Sequence, residues 1–256
     1  MNRSSISDDN VYRSFCETAT KDDNVFKTFR NDPKYQIVLE HVSKQQGEQY
    51  LNLIKRDNAE LLQFKDKFIT NDKIGNPPTY DFGDFGYVSP TTLRYIKVLS
   101  DLIKEHGSLD KMDIVEIGGG YGGQAKIIMD MYNVNSYTLI DLPPVLLLIK
   151  KYLNSYDSLN HSKIHYKSIN DLDDKGKYDL AISNYAYTEC VKSVQKEYYD
   201  KVLSKANKGY ITANFINNIF NLDYHTKDEL LEMFNNSSIK PEEPKTHANN
   251  IILLWK

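Results

Sequence analysis

The sequence has little of what specialised scaffolds are built from. Two cysteines, Cys16 and Cys190, stand far apart among 256 residues and belong to no pairing motif. That excludes a disulfide framework and leaves too few thiolates for a structural zinc site, so a reducing compartment is expected. Long apolar runs are missing as well: residues 145–149 are far shorter than the ~20 residues a membrane-spanning helix needs. The first ten residues are polar and carry no apolar segment of the secretory type, so the expectation is a cytoplasmic protein. Neither sign of charge is in excess, with a formal net charge of −3, which argues against a nucleic-acid partner. No internal repeat and no long low-complexity tract is found.

What is present has the balance of a globular chain, 40% hydrophobic and 26% charged. A chain of this length buries roughly 70–75% of its unfolded surface and needs no staples. Residues 1–34 read as a polar arm with short helices, broken by Pro33. Over residues 35–69 the apolar positions Ile37, Val38, Val42, Leu51, Ile54, Leu61, Leu62, Phe64 and Phe68 suit two amphipathic helices with a break near Gly47. A turn-rich stretch, 71–87, carries the aromatics Tyr80, Phe82, Phe85 and Tyr87. Residues 1–87 therefore read as a helical extension with its linker, and 88–256 as the main domain. The extension is expected to pack on that domain or on a second copy of the chain, as a homo-oligomer.

Ser89-Pro90 places a capping residue before a proline at the first helical position, and Leu93, Ile96, Leu99, Leu102 and Ile103 follow on one face. From residue 113 short apolar strands alternate with helices. Strands are expected at 113–117, 136–141, 163–167, 178–183 and 209–215, then a pair near 238–242 and 250–255. Helices are expected near 123–132, 144–154, 193–205 and 226–235, the last opened by the capping box of Thr226 and Glu229. Such alternation indicates an α/β fold, a doubly wound and mostly parallel seven-stranded sheet. The last two strands lack an intervening helix and should form an antiparallel hairpin, with Pro241 interrupting the first of them. That ending resembles the class I methyltransferase variant of the sheet; a dehydrogenase-type sheet would continue with βαβ units.

The strongest motif is Asp113-Ile114-Val115-Glu116-Ile117-Gly118-Gly119-Gly120-Tyr121-Gly122-Gly123. An apolar strand runs straight into five glycines within six residues and then into a helix. Glycines there let the chain turn sharply and let a ligand press against backbone atoms. Gly118, Gly120 and Gly123 also satisfy the dinucleotide fingerprint, a weak pattern by itself. Glu116 separates the readings, because a carboxylate at the strand end repels a pyrophosphate and suits the ammonium of S-adenosylmethionine. Asp141, at the end of the next strand, can accept both hydroxyls of a ribose in either cofactor. Glu116 and the terminal hairpin favour the methyl donor over a nicotinamide dinucleotide. A glycine turn without a ligand is the remaining alternative. With the donor bound, Leu142 would lie against the adenine, and the third strand's end at Ser168 and Ile169 would offer a polar contact to its amino group. Asp171 reads equally as a loop carboxylate that caps the next turn of the chain.

Beyond the fourth strand comes Ser183-Asn184-Tyr185-Ala186-Tyr187-Thr188-Glu189, at the edge where open α/β sheets bind ligands. These segments, with Asp141-Leu142-Pro143, Asn76-Pro77-Pro78-Thr79-Tyr80 and Ser89-Pro90-Thr91-Thr92-Leu93-Arg94-Tyr95, resemble the sugar O-methyltransferases, a branch of the class I S-adenosylmethionine-dependent enzymes. The resemblance covers nearly the whole chain and implies a saccharide or glycoconjugate acceptor.

A sugar hydroxyl is poorly acidic and needs a general base, or a metal that lowers its pKa. Glu189 is the first candidate base, and a carboxylate favoured by the start of the next helix is the competing account. His225 is the second candidate, against a helix-flanking surface histidine; His247 reads as a solvated loop residue. Tyr80, Tyr87, Tyr185 and Tyr187 are candidates for positioning or stacking against a sugar, while the Tyr80–Tyr87 stretch reads equally as packing between extension and domain. Arg94 would pair with the donor's carboxylate or with an anionic acceptor, against a plain surface arginine. No metal-ligand spacing stands out, and no metal is expected. Three other readings remain: a methyltransferase acting on a different small-molecule acceptor, a donor-binding module without catalysis, and a nicotinamide-dependent oxidoreductase.

Overall fold

Local signals set the frame of the computed structural model, which describes residues 4–173, 175–216, 222–234 and 236–256. Ser89 accepts a hydrogen bond from the Thr92 amide and, with Pro90 at the first position, opens the helix α6, Pro90–His106. Before it lie α1 (Asn10–Lys21), α2 (Asp23–Thr28), α3 (Pro33–Gln36), α4 (Lys44–Asp57) and α5 (Lys65–Ile69), then a two-stranded hairpin of β1 (Tyr80–Asp81) and β2 (Tyr87–Val88). After it come β3 (Asp113–Ile117), α7 (Gly123–Met131), β4 (Ser136–Ile140), α8 (Pro143–Leu153), β5 (Ile164–Lys167), β6 (Tyr178–Asn184), α9 (Lys192–Lys201), β7 (Ala206–Ala213), α10 (Lys227–Met233), β8 (Ser238–Pro241) and β9 (Ile251–Trp255).

The seven-stranded sheet has the order β5-β4-β3-β6-β7-β9-β8. Its first five strands are parallel, and β9 runs antiparallel to both β7 and β8. This is the doubly wound sheet with a terminal hairpin expected of the methyltransferase variant, and the antiparallel β9 runs against a continued series of βαβ units. Pro241 ends β8 at the sheet's edge, where a residue that cannot donate to a ladder is tolerated. The strand order reverses between β3 and β6, so the carboxyl ends of those two strands form the switch point at which sheets of this kind bind ligands.

The extension differs from the sequence expectation at Gly47. No break occurs there; Gly47 lies inside α4, buried, where an added Cβ would meet Phe82 Cζ at 2.6 Å. Close packing of the linker on the helix, not a turn, requires the glycine, and the breaks fall at residues 37–43 and at Asn58. The arm packs on its own chain: Lys151 of α8 donates to Thr20 O at 2.9 Å and pairs with Asp23 at 2.7 Å. One apolar core accordingly joins Phe15, Phe29 and Ile54 of the extension to Leu93, Ile114 and Ile149. A second lies on the other face of the sheet around Val115, Tyr187, Ile211 and Phe234. Among the described residues no helix is long and apolar enough to cross a membrane.

Candidate functional site

Four strands deliver polar residues to one edge. The registers Glu116↔Ile182 and Glu116↔Leu139 put Glu116 at the centre of the sheet, one residue before β3 ends. Gly118, Asp141, Asn184 and Asn214 follow at or just beyond the ends of β3, β4, β6 and β7. Gly118 is tied to the neighbouring strand by a bond from its amide to Ile140 O at 2.9 Å.

Glu116 is 2% exposed and accepts the Tyr137 hydroxyl at 2.8 Å. Burial pushes its carboxyl up to about 8, the Tyr137 bond opposes that rise, and the charge of Asp141 adds to it. Asp141 is also pushed up, to about 7, by burial, against hydrogen bonds from the backbone of Leu142, Gly120 and Gly119. Two carboxyls with raised pKa values therefore flank the glycine turn, poorly solvated and suited to a cationic or hydroxyl-rich partner.

Gly118, with φ +80°, permits a turn that a side chain would strain, and an added Cβ would fall on the Ala186 methyl. An added Cβ on Gly120 would meet Leu39 Cδ1 at 2.9 Å. Residues from the extension and from the loop after β6 thus lie on the glycine turn itself. Gly119 backs onto Leu139 and Ile149, Gly122 onto Ile149 and Leu153, and Gly123 begins α7 against Tyr95. Tyr121 turns away from the turn into a buried network: its ring lies 4.4 Å from the Arg30 guanidinium carbon and its hydroxyl accepts from Asn71 at 3.1 Å. Leu142 is partly buried and starts α8, with its amide on Asp141 at 2.8 Å.

On the β5 side, Ser168 is buried and its hydroxyl and amide both donate to Asp171, at 2.6 and 2.9 Å, which closes the turn through Ile169. The capping account of Asp171 is the one its geometry fits.

Beyond β6 the chain bends sharply. Tyr185 takes φ +68°, a left-handed conformation costly for a bulky residue and characteristic of functional turns. Ser183 stitches the turn, donating to Ile117 O at 3.0 Å and accepting the Tyr187 amide at 3.1 Å. Asn184 has both side-chain polar atoms buried without a hydrogen-bond partner. Glu189 accepts the Asn214 side-chain amide at 2.7 Å; burial raises its pKa, while that bond and the charge of Arg94 oppose the rise. The Tyr185 hydroxyl donates to Glu242, whose other oxygen accepts from the Thr246 amide at 2.9 Å and from Asn250 at 3.0 Å. Residues 4–6 lie across this loop: the Ile6 amide donates to Glu189 O at 3.0 Å and the Val191 amide to Ser4 O at 2.9 Å. A cavity of about 490 Å³ opens past the end of β7, lined by Phe215, Tyr224, Lys245, Asn249, Asn250 and Ile251.

The remaining sequence candidates fall elsewhere. His225 is buried on Gln195 of α9, with Nδ1 2.7 Å from Gln195 Oε1, and burial lowers its pKa. Its bond anchors Gln195, which in turn donates to Tyr187 O at 3.2 Å. Tyr187 is wholly enclosed in the second core, edge-on to Phe234, so its ring packs rather than lines the switch point. Tyr80 and Tyr87 are 40% and 68% exposed on the small hairpin. Arg94 is no surface arginine; it is 8% exposed. Among the described residues no group of three or more His, Cys, Asp or Glu side chains could hold a metal ion.

Two residues of this edge carry no strong signal in the sequence. Asn214 sits just past the fifth parallel strand, where strand ends carry ligands, so its position was the available clue. Glu242 follows Pro241 in the terminal hairpin, and no sequence spacing points to it.

No protein-family model matches the sequence, and no curated protein matches it. Solved structures do. A protein of Galdieria sulphuraria named as a sarcosine dimethylglycine methyltransferase is 16% identical, at a TM-score of 0.48, over 58% of this chain and 63% of its own, less than two thirds of its length. The N-methyltransferase NodS of Bradyrhizobium japonicum, in complex with S-adenosylhomocysteine, is 11% identical at a TM-score of 0.47, over 63% of this chain and 83% of NodS. The magnesium protoporphyrin IX methyltransferase of Synechocystis, with bound S-adenosylmethionine, is 11% identical at a TM-score of 0.48, over 81% and 95%. The strand order itself, not these distant likenesses, identifies the architecture.

Proposed function

We propose that the chain is an S-adenosylmethionine-dependent O-methyltransferase whose acceptor is a hydroxyl of a sugar or glycoconjugate. The observation that carries the reading is the pairing of Glu116 and Asp141 around the glycine turn at the point where the strand order reverses. Glu116 would hold the donor's ammonium, Asp141 its ribose hydroxyls, and Leu142, Ser168 and Ile169 would border the adenine. Gly118 and Gly120 carry no side chain of their own against a donor, which would displace the Ala186 and Leu39 side chains now packed on them. When bound, the donor supplies a methyl group on a sulfonium, already activated for displacement.

The rest falls to the chain's own side chains. Asn184, with unsatisfied donor and acceptor atoms, aligns the acceptor hydroxyl beyond β6. Glu189, raised by burial toward the working range of a general base, takes the hydroxyl proton as the oxygen receives the methyl group. Asn214 fixes the orientation of that carboxyl. Tyr185 and Glu242 brace the opposite wall, which borders the cavity past β7 through Asn250. Residues 1–87 act as the arm that covers the site, and 88–256 carry it. A polar rim of carboxyl, amide and phenol groups suits a hydroxylated acceptor, and the sequence resemblance supports a saccharide.

The test is transfer of an isotopically labelled methyl group to a panel of saccharides, with small amines as the comparison. Label recovered in an O-methyl sugar is expected. Label recovered only on amines would overturn the sugar reading.

A further inference from the structure

The chain buries two arginines at this end of the molecule and treats them differently. Arg30, fully buried, is saturated: it pairs with Glu40 at 2.5 Å and Asp72 at 3.0 Å and donates to Asn71 O at 2.8 Å and Ser89 Oγ at 3.1 Å. Arg94, 8% exposed, has Nε buried with no hydrogen-bond partner. Among the described residues it has no carboxylate within ion-pair distance; the Tyr95 ring lies 5.6 Å from the guanidinium carbon. The carboxylates that share its field are engaged elsewhere, Glu189 by Asn214 and Glu40 by Arg30. A guanidinium with its Nε buried and unbonded, and with no ion pair, is penalised unless something else supplies the anion.

Its position says which ligand that is. The charge of Arg94 is felt by Tyr185 and Glu189 beyond β6 and by Tyr50 of α4, as well as by His41 and its neighbour Tyr95; Glu116 does not feel it. Asn184, also without partners, belongs to the same β6 edge. The planar fork of an arginine matches a carboxylate or phosphate bidentately.

We propose that Arg94 is an acceptor-binding residue that pairs with an oxyanion, a carboxylate or phosphate, carried by the substrate, so that the acceptor is an acidic rather than a neutral sugar. The proposal rests on the acceptor side assigned above. It differs from it in requiring charge on the acceptor, and its alternative source of the oxyanion is the donor's own carboxylate.

The test compares the wild type with Arg94→Gln and Arg94→Met. Glucuronate and glucose 6-phosphate are titrated against glucose and glucuronamide, read by thermal shift with and without S-adenosylhomocysteine. The acidic sugars are expected to raise the melting temperature of the wild type at concentrations at least tenfold below the neutral ones, and this preference should vanish in both variants. S-adenosylhomocysteine affinity should stay within about twofold. Without ligand, Arg94→Met should melt no lower than the wild type, because it removes an unpaired buried charge. Equal response to acidic and neutral sugars would overturn the proposal. So would a tenfold loss of S-adenosylhomocysteine affinity in Arg94→Gln with the sugar response intact, which would give the guanidinium to the donor. A fall of several degrees in ligand-free Arg94→Met would make Arg94 a structural residue and overturn it too. Since the sugar titration is also run without S-adenosylhomocysteine, failure of donor binding would strike the methyl-transfer reading and leave the anion site separately decided.

Discussion

Glu116 accepts the hydroxyl hydrogen of Tyr137 at 2.8 Å, a bond between two adjacent strands that holds a buried carboxyl in place. Because burial raises Glu116 to about 8, the folded chain keeps a proton that the unfolded chain releases near 4.5. Its contribution to stability is therefore full below about pH 4.5, falls as pH rises, and is gone past about pH 8. Glu116→Gln should make the decline in melting temperature between about pH 5 and pH 8 less steep. Some decline should persist, because Asp141, raised to about 7, acts with the same sign. An unchanged slope would contradict the assignment.

Tyr137→Phe removes the bond that opposes the rise of Glu116, so its carboxyl should hold the proton to higher pH. Affinity for a cationic ligand at neutral pH should fall several-fold and recover as pH is raised. Calorimetry at two pH values checks this; a loss that does not recover would mean that Tyr137 acts only through packing.

Gly118 meets two constraints, a left-handed φ and the Ala186 methyl against its bare Cα. Gly118→Ala should cost about 1–3 kcal/mol of stability and remove donor binding. Adding Ala186→Gly should recover only the steric part, since the backbone strain remains. Full recovery by the double variant would show that φ is not limiting there.

Arg30 links the arm to the linker and to Tyr121. Arg30→Met leaves Glu40 and Asp72 buried without their cation, and the expected loss is about 3–5 kcal/mol, measured by urea unfolding. A change below about 1 kcal/mol would mean that the two carboxylates find other partners readily.

Glu189→Gln should lower kcat about 10²-fold or more while leaving S-adenosylhomocysteine affinity alone. Asn214→Ala removes a bond that holds the Glu189 pKa down, so the rising limb of the pH–rate profile should move to higher pH. A profile that stays in place would separate Glu189 from the rate-determining proton transfer.

The parallel half of the fold was readable because each strand is short, apolar and followed by a helix. All seven strands of the main sheet lie within a few residues of their expected places. Glu116, Gly118 and Asp141 were readable for a related reason: strand ends in such sheets point at one edge. What the sequence hid depends on packing across distant segments. Gly47 looked like a helix break because nothing nearby reveals that Phe82 occupies the space of its missing side chain. Tyr187 looked like a site residue because it stands between Tyr185 and Glu189, yet the left-handed turn at Tyr185 sends its ring to the opposite face of the sheet. Nothing in the sequence shows that His225, a candidate base, has its Nδ1 on Gln195, thirty residues away. The strap of residues 4–6 over the loop after β6 has no sequence signature at all.

The central claim is that the glycine turn with Glu116 and Asp141 binds a cationic methyl donor. The most direct measurement is calorimetry of the intact chain with S-adenosylmethionine and S-adenosylhomocysteine, alongside NAD and NADP. The account predicts micromolar binding of the first pair, lost in Glu116→Gln, and no binding of the second. Binding of NAD or NADP, or of none of the four, would contradict it.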